Sequence, residues 1–428
     1  MAEQDRTKLT GRITVPGDKS ISHRSIIFAA ISTGVTTIDN FLKSADCLST
    51  MQAFKDLGVK IDEQKSQVLV KGVGLKGLTQ SSQPLDMGNS GTSTRLITGL
   101  LAGQDFASTL VGDASLSKRP MARVTDPLSQ MGANFTSTEN HLPLMVFGRP
   151  LHGFNYRLPV ASAQVKSAII LAALQATGET VIEEPTASRD HTERMLATFS
   201  PASIDRHGHQ IIIHPGHPLT AQHVTVPGDI SSAAFWLVAG AIVPGSAITI
   251  ENVGINQTRT GILSVLKKMG AQLTIQERTQ ANNETEPAAD ITVTASKLQP
   301  FTIGAEEIPA LVDEVPLLAL LAARADGISR ITGAEELRFK ESDRLAVVAE
   351  EFRKLGIAIE ELPDGFVIDG RQNWQLHSTD LDSHHDHRIA MTLKIASLLL
   401  SKPVTIRDFD AVNISYPSFL ADLQRLRS

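Results

Sequence analysis

Apolar helical stretches alternate with short β-branched segments along the chain. In the first such unit the pattern predicts an apolar helix over 20–31, a turn at Gly34 and an extended segment over 36–38. A more polar helix is predicted over 47–57, and it stops at Gly58, since glycine is the residue that most often ends a helix. The pattern therefore indicates a repeated unit in which helices and strands alternate.

The same order of elements recurs, giving six copies of roughly 70 residues each. The later apolar helices are predicted over 91–101, 164–175, 232–243, 312–325 and 388–400. A polar stretch at 277–287 is expected to be a loop. A stacked solenoid is the usual alternative for a repeat, but these units are longer than common solenoid repeats. Two α/β (α+β) domains of three units each fit the pattern better.

The peptide Val-Pro-Gly-Asp occurs twice, at 15–18 and at 226–229, and each copy leads into an apolar helix. Because a chain of 428 residues is too long to fold around a single hydrophobic core, two domains are expected. We predict a discontinuous domain I, residues 1–18 plus 228–428, and a domain II, residues 19–227. The chain crossings would then lie near 15–20 and 226–231.

Composition narrows the class of protein. An apolar content of 42% with 20% charged residues is typical of a soluble globular protein. The net charge of −6 gives no general attraction to nucleic acid or to an anionic membrane, so any anion binding must be local. Cys47 is the only cysteine, the first residues lack the apolar stretch of a signal peptide, and no apolar run is long enough to span a bilayer. We therefore predict a cytoplasmic protein with no nucleic-acid or membrane partner.

The starts of the six apolar helices carry the candidate chemistry, because helix N-termini attract phosphates and carboxylates. Five starts bear polar or charged residues, namely 19–20, 89–92, 162–164, Asp313 and 386–388, whereas the sixth, 229–231, looks blank. Four residues could be helix caps and nothing more: Asp18, Ser90, Asp229 and Asp386. Cations are disfavoured at this end of a helix, so four others indicate a bound anion: Lys19, Arg24, Arg95 and Arg388.

Two further basic clusters lie at 117–121 and 338–344, and a solvated face with ion pairs is an equal alternative for each. In the second cluster, Lys340 and Arg344 are four residues apart and are expected to share a helical face, with Glu341 offset from it.

The histidines at 384, 385 and 387 lack the usual spacing of metal ligands, so no metal site is predicted. No nucleotide-binding glycine loop and no serine-hydrolase elbow is present.

Taken together, six motifs in one order closely resemble the 5-enolpyruvylshikimate-3-phosphate synthase family over nearly the whole chain. They are PGDKSISHR (16–24), GNSGTSTR (88–95), SLSKRPM (115–121), ASAQVKS (161–167), FKESDRL (339–345) and DHRIAM (386–391). The resemblance implies two domains of three βαβαββ repeats, the inside-out α/β barrel of enolpyruvyl transferases, around an interdomain cleft. We expect this cleft to close on its ligands, because the cationic groups come from both halves of the chain and repel one another when it is empty. The resemblance also implies transfer of the enolpyruvyl group of phosphoenolpyruvate to the 5-hydroxyl of shikimate 3-phosphate, by addition and then elimination. No cofactor is implied, and we expect a monomer whose partners are its two small-molecule substrates.

The resemblance also assigns residues to the two substrates. Those implied for shikimate 3-phosphate are Lys19, Ser20, Arg24, Ser162, Ala163, Gln164, Ser188, Asp313 and Lys340. Those implied for phosphoenolpyruvate are Lys19, Gly91, Arg119, Gln164, Arg344 and Arg388. Such a cationic cluster fits a reaction that holds two phosphates and two carboxylates together.

Three residues are the catalytic candidates: Lys19, Asp313 and Glu341. Asp313 would deprotonate the 5-hydroxyl, and Glu341 would protonate the methylene carbon of phosphoenolpyruvate. These two roles could also be exchanged between the half-reactions. The chain departs from some members of the family at 188–191 and at Ile414, where those members have a lysine.

Two alternatives stay open at this point. The sister enzyme that transfers enolpyruvyl to UDP-N-acetylglucosamine usually has a Cys or an Asp in the loop corresponding to 115–121, and this chain has neither there. A non-catalytic anion-binding relative would gain nothing from carboxylates such as Asp313 and Glu341 beside its ligand.

Overall fold

The computed structural model describes residues 8–278 and 286–427, which form two compact units. Unit 1 draws its described residues from Met1–Pro16, Pro227–Thr279 and Pro287–Ser428, and unit 2 draws them from Gly17–Val226 and Gln280–Glu286. Of the predicted loop at 277–287, residues 279–285 lie outside the described residues.

Helices form where the apolar pattern predicts them, with boundaries shifted by up to three residues. The helices are α1 (Lys19–Ala30), α2 (Ala45–Asp56), α3 (Gly91–Ala102), α4 (Ala122–Gln130), α5 (Ala163–Ala173), α6 (His191–Phe199), α7 (Ile230–Ile242), α8 (Gly261–Lys268), α9 (Val315–Ala322), α10 (Arg344–Lys354), α11 (His387–Ser397) and α12 (Phe419–Arg427). Gly58 follows α2 with φ +90°, a left-handed conformation that glycine adopts without strain.

The strands are short, as the brief β-branched segments predict. They are β1 (Thr10–Thr14), β2 (Thr33–Asp39), β3 (Lys60–Glu63), β4 (Gln67–Val73), β5 (Leu85–Asp86), β6 (Ala107–Val111), β7 (Asn134–Thr138), β8 (His141–Phe147), β9 (Leu151–His152), β10 (Asn155–Arg157), β11 (Ala176–Thr177), β12 (Thr180–Glu183), β13 (Ile204–His207), β14 (Gln210–Ile213), β15 (His223–Thr225), β16 (Ala247–Gly254), β17 (Gln272–Glu277), β18 (Ala288–Thr294), β19 (Thr302–Ile303), β20 (Ile328–Ile331), β21 (Ile359–Leu362), β22 (Gly365–Asp369), β23 (Asp380–Asp382) and β24 (Thr405–Arg407).

Sheet topology makes the repeat visible. Five four-stranded sheets share one plan, in which a leading strand pairs parallel to a second strand and two antiparallel strands follow. Their orders are β15-β2-β4-β3, β5-β6-β8-β7 and β10-β12-β14-β13 in unit 2, and β1-β16-β18-β17 and β19-β20-β22-β21 in unit 1. The sixth copy is shortened to the parallel pair β23-β24, and α12 follows where the others continue with strands.

Each Val-Pro-Gly-Asp peptide joins a strand of one unit to a helix of the other. The first follows β1, which pairs with β16 in unit 1, and it leads into α1 of unit 2. The second follows β15, which pairs with β2 in unit 2, and it leads into α7 of unit 1. The duplicated peptide therefore stands at two of the places where the chain changes unit, 16/17 and 226/227.

Each unit has its own hydrophobic core, built mainly from its apolar helices. All residues of α7 and of α9 are buried in the core of unit 1, and most of α1, α3 and α5 is buried in unit 2. Cys47, the only cysteine, is fully buried in the unit 2 core. Within 8–278 and 286–427, no helix has both the length and the apolar content needed to cross a bilayer.

Candidate active site

The start of α1 in unit 2 combines a cap with a cation. The Asp18 carboxylate accepts a hydrogen bond from the Ile21 amide at 2.9 Å, which confirms Asp18 as the cap. The Lys19 ammonium lies 3.0 Å from the Asp46 carboxylate, and its side chain is 21% exposed. Lys19 is thus held in place by a carboxylate while part of its side chain still reaches solvent.

Arg24 lies one turn further along α1, and its guanidinium is almost entirely buried. It donates to the Thr192 hydroxyl at 2.6 Å, to the Ser167 hydroxyl at 3.0 Å and to the Ser20 carbonyl at 3.0 Å. These bonds fix Arg24 between α1, α5 and α6. The guanidinium consequently puts a fixed positive charge beneath the starts of α1 and α5.

The start of α3 gathers two guanidinium groups around a glycine. Ser90 caps the helix by accepting from the Ser93 amide at 3.1 Å. A Cβ added to Gly91 would lie 3.2 Å from the Arg95 Nη1 atom and 3.4 Å from the Arg119 Nη1 atom. The glycine therefore leaves the space between both arginines open, as close approach of an anion requires.

Polar side chains orient these two arginines. Arg119 donates to the Asn89 amide oxygen at 2.8 Å, and Arg95 donates to the side-chain oxygen of Gln164. Gln164 in turn donates to the Thr92 hydroxyl at 3.1 Å. Gly91, Arg119 and Gln164, all predicted to be phosphoenolpyruvate ligands, therefore lie close together around Arg95 within unit 2.

The start of α5 is capped by Ser162, whose hydroxyl accepts from the Val165 amide at 3.5 Å, and Ala163 is the first residue of the helix. Both residues are half-buried. Their position leaves the first amides of α5 available to an anion.

Ser188 belongs to a buried ionic cluster that the sequence did not reveal. Its hydroxyl donates to the Glu184 carboxylate, which also pairs with the Lys166 ammonium at 2.9 Å. Lys166 pairs with Glu193 as well, at 2.6 Å, and its side chain is fully buried. Glu184 thus orients the Ser188 side chain, whose hydroxyl proton is directed to its carboxylate.

In unit 1, one buried guanidinium holds both carboxylates of the predicted acid–base pair. Arg344 lies 2.7 Å from the Glu341 carboxylate and 3.5 Å from the Asp313 carboxylate, and its side chain is 2% exposed. It also pairs with the buried Asp386 at 2.8 Å. Burial opposes the charge of Arg344, but the carboxylates of Asp386, Glu341 and Asp313 outweigh it and raise the pKa of Arg344 above its ordinary value.

Asp386 links this guanidinium to the start of α11. Its carboxylate caps the helix by accepting from the Arg388 amide at 2.8 Å, and it accepts from the Ser342 hydroxyl at 3.1 Å. Arg388 is buried, and its guanidinium donates to the Ser231 carbonyl at 3.4 Å. Asp313, Glu341, Arg344 and Arg388 are therefore connected within one unit.

The prediction that Lys340 and Arg344 share a helical face is wrong. A short 3-10 turn ends at Phe339, and α10 begins only at Arg344, because the Asp343 carboxylate caps it by accepting from the Ala346 amide at 3.0 Å. Lys340 lies in the bend between the two, 3.4 Å from Glu336. The bend, rather than a helical face, brings Glu341 onto Arg344.

The start of α7, which looked blank in the sequence, contains a buried polar network. Asp229 caps the helix by accepting from the Ser231 amide at 2.8 Å. The Ser231 hydroxyl donates to the buried Glu314 carboxylate and accepts from Arg259 at 2.8 Å. Burial, and secondly the charge of Asp313, raise the pKa of Glu314, although Arg388 and Arg259 oppose this.

Arg259 and Glu314 are further residues that sequence analysis missed. The only available indication was the double acid Asp313-Glu314 at the start of an otherwise apolar helix. The cap prediction for Asp229 is confirmed, but its neighbour Ser231 has a polar role as well as a packing one.

A group that could hold a metal ion lies apart from these residues. Ligand atoms of Glu350, Glu351 and His384 come within 4.8 Å of one another. The Lys354 ammonium already lies among them, 3.1 Å from Glu350 and 2.6 Å from Glu351. Lys354 therefore supplies a positive charge to these carboxylates.

Comparison with known proteins gives a consistent result. The family model described as EPSP synthase (3-phosphoshikimate 1-carboxyvinyltransferase) matches residues 4–423. A 3-phosphoshikimate 1-carboxyvinyltransferase of Limosilactobacillus fermentum is 53% identical over 420 residues, covering 98% of this chain and 96% of that protein. One of Lactiplantibacillus plantarum is 52% identical over 425 residues, covering 99% of this chain and 98% of that protein.

Solved structures agree with the sequence comparisons. EPSP synthase from Acinetobacter baumannii superposes with a TM-score of 0.86 at 45% identity, covering 98% of this chain and 96% of that one. The enolpyruvyl transferase NikO from Streptomyces tendae has a TM-score of 0.78 at 18% identity over 98% of this chain and 95% of that one, which shows a shared fold. The predicted fold class is thereby confirmed, and the chain belongs to the EPSP synthase, or 3-phosphoshikimate 1-carboxyvinyltransferase, family.

Proposed function

We propose that this enzyme transfers the enolpyruvyl group of phosphoenolpyruvate to the 5-hydroxyl of shikimate 3-phosphate and releases phosphate. Family membership supports the reaction, and one feature of the site carries it: Arg344 holds both Asp313 and Glu341. A base and an acid are thus fixed around a cation that suits a substrate carboxylate.

In the addition step, Asp313 would take the proton of the 5-hydroxyl while that oxygen attacks C2 of phosphoenolpyruvate. Glu341 would give its proton to C3, so that the methylene becomes a methyl group and a tetrahedral ketal phosphate forms. A substrate carboxylate at Arg344 would compete with Glu341 for the guanidinium. Glu341 would then lose part of the positive charge that favours its ionised form, and could act as an acid.

In the elimination step, a proton leaves the new methyl group, the C2–O bond to phosphate breaks, and the C2=C3 double bond forms again. The carboxylate that gave its proton in the first step is available to accept one in the second. Asp313 and Glu341 share the Arg344 guanidinium, so the two could also exchange these roles.

The cationic groups of unit 2 would bind the anionic parts of the substrates. We assign the phosphate of shikimate 3-phosphate to the helix starts at Lys19-Ser20 and 162–164, above the buried charge of Arg24. Phosphoenolpyruvate is assigned to the open space at Gly91, between Arg95 and Arg119, with Lys19 reaching both substrates. Arg344 and Arg388 of unit 1 would bind its carboxylate, and Lys340 and Ser188 would contact the shikimate part.

We also retain five proposals from the sequence. The two compact units would be the two domains, and the enzyme would act as a monomer in the cytoplasm. It would need no organic cofactor or metal, and its partners would be the two substrates, not nucleic acid or membrane. Mass measurement of the purified protein in solution checks the monomer directly.

The test is phosphate release with a panel of acceptors. We expect phosphate only when phosphoenolpyruvate and shikimate 3-phosphate are both present, together with a product whose mass equals their sum minus phosphoric acid. Phosphate release with UDP-N-acetylglucosamine would assign the sister activity instead. If neither acceptor gave phosphate release, the remaining alternative would be a non-catalytic anion-binding relative.

A further inference from the structure

A line of buried side chains runs beneath the helix starts of unit 2 and has no role in the reaction as described above. It connects His23 on α1, Thr50 on α2, and Ser93 and Ser90 at the start of α3. All four residues are buried, with at most 1% of their surface exposed. Consecutive side chains are 2.7, 2.5 and 2.7 Å apart, so the line is unbroken.

The number of protons in this line fixes its direction. Ser93 has one hydroxyl proton, which is directed at the Ser90 oxygen at 2.7 Å, with the Asp46 carbonyl 3.5 Å away. Ser93 therefore has no proton to give to Thr50, and Thr50 must donate to Ser93. Thr50 has then used its own proton and must accept one from His23 Nδ1.

The state of His23 follows from the same environment. Burial, assisted by the charges of Lys19 and Arg24, keeps the pKa of His23 well below its ordinary value of 6.5. The ring is therefore neutral, with its single proton on Nδ1. Within the described residues, the buried Nε2 atom has no hydrogen-bond partner.

The line ends at the cap that sets the start of α3. Ser90 accepts from both the amide and the hydroxyl of Ser93, and Gly91 follows it directly. Asp46, whose carbonyl lies beside Ser93, is also the residue that pairs with Lys19. A displacement of the Ser93 and Ser90 hydroxyls would therefore first change the position of Gly91.

We infer that His23, Thr50, Ser93 and Ser90 form a directed hydrogen-bond chain that positions the start of α3 for phosphoenolpyruvate. This inference rests on the proposed function, because it takes the space at Gly91 as the phosphoenolpyruvate site. The four are positioning residues: they act through the α3 cap and not on the reacting atoms.

Replacement of Thr50 tests the chain at its centre. Thr50→Val keeps the shape but removes both hydrogen bonds, and we expect the KM for phosphoenolpyruvate to rise about two- to tenfold, the equivalent of one neutral hydrogen bond. The KM for shikimate 3-phosphate should change less, and Thr50→Ser should restore the wild-type values. Equal shifts in both KM values, or none, would overturn the inference.

Two comparisons separate positioning from general packing. Thr180, in β12 of the same unit, is fully buried, and its hydroxyl has no partner among the described residues, so Thr180→Val is the matched control and should leave both KM values unchanged. Ser93→Ala breaks the same chain, so Thr50→Val combined with Ser93→Ala should have little more effect than either alone. Additive effects would contradict a single chain.

Imidazole ¹⁵N NMR of the wild-type enzyme gives an answer that does not depend on any variant folding. The His23 signals should show the neutral tautomer with the proton on Nδ1, and a proton on Nε2 would overturn the inference. An inactive wild type would refute the proposed function and leave this spectrum interpretable. An active wild type with the wrong tautomer would refute the inference alone.

Discussion

The two Val-Pro-Gly-Asp peptides begin two helices with the same cap, but they differ in the charged residues that follow the cap. In both, the aspartate caps the helix, Asp18 on α1 and Asp229 on α7. After Asp18 comes Lys19, whose side chain is partly exposed and paired with Asp46. After Asp229 comes Ile230, which is 1% exposed, and the polar groups near it are buried.

The difference shows that the aspartate cap of a helix start and the charged residues near it can vary independently. At the α1 start the cation is encoded next to the cap. At the α7 start the charges come from Arg259 and Glu314, which are distant in sequence and meet at the Ser231 hydroxyl. The second start therefore serves as a buried support for Arg388 and for the segment that contains Asp313.

The largest effect is expected at Asp313, the proposed general base. Asp313→Asn should lower kcat by about 10²- to 10⁴-fold, the usual contribution of a general base, while binding of both substrates stays close to wild type. Steady-state kinetics and calorimetric binding measure the two separately. The control is Asp326→Asn, an exposed acid in the same unit, and an Asp313→Asn enzyme with normal turnover would exclude Asp313 from the mechanism.

Matched changes at the two starts should affect different properties. Lys19→Met should lower kcat/KM by about 10²- to 10³-fold, because it removes a cation that we propose contacts both substrates. Ile230→Ala should instead lower the free energy of unfolding by about 2–5 kcal/mol, the usual cost of truncating a buried isoleucine.

Urea unfolding and kinetics of both variants check this contrast. Lys43→Met, which changes an exposed lysine of unit 2, is the control and should alter neither property. Loss of activity without loss of stability in Ile230→Ala would mean that the second start also contacts substrate.

The buried network at α7 should be visible in the pH dependence of stability. The pKa of Glu314 is raised above its ordinary value of 4.5, so the unfolded chain releases this proton at lower pH than the folded one does. The wild type should therefore lose stability relative to Glu314→Gln as the pH rises from 4.5 through the raised pKa. Urea unfolding at several pH values measures this difference, with the exposed Glu306→Gln as control, and a constant difference would contradict it.

The smallest effect is expected at Gly91. In Gly91→Ala the new Cβ would come within 3.2 Å of Arg95 and 3.4 Å of Arg119, which is tight but leaves the backbone unstrained. We expect the KM for phosphoenolpyruvate to rise about two- to tenfold, with the KM for shikimate 3-phosphate nearly unchanged. Gly304→Ala, where the nearest atom is 3.9 Å away, is the control. Equal changes in both KM values would place the second substrate, too, at Gly91.

Much of the fold could be predicted because its units are local. The apolar helix predicted over 20–31 is Lys19–Ala30, and the one predicted over 91–101 is Gly91–Ala102, since capping residues and glycines mark the ends of both. The helix of the sixth copy was predicted, over 388–400, but its shortened sheet was not. The hydrophobic periodicity of the sequence does not show whether a copy lacks a pair of strands or has a pair of short strands.

The site was predictable where motif residues stand at helix starts, and less so elsewhere. Lys19, Gly91 and Arg388 lie at or just after capped helix starts, as expected. Lys340 was misplaced, because charge spacing of four does not show whether the backbone is helical. Contacts between distant residues, such as Lys166 with Glu184 or Ser231 with Glu314, depend on packing that spacing cannot reveal.

Turnover in D₂O with both substrates tests the central claim, that transfer proceeds by protonation of C3 and its later deprotonation. Addition places a solvent-derived deuteron on C3, and elimination removes one of three hydrogens that can exchange places by rotation. Mass spectrometry should therefore find deuterium in the vinyl methylene of the product. A product formed at the normal rate with no deuterium at that carbon would contradict addition and elimination, and with it the roles given to Asp313 and Glu341.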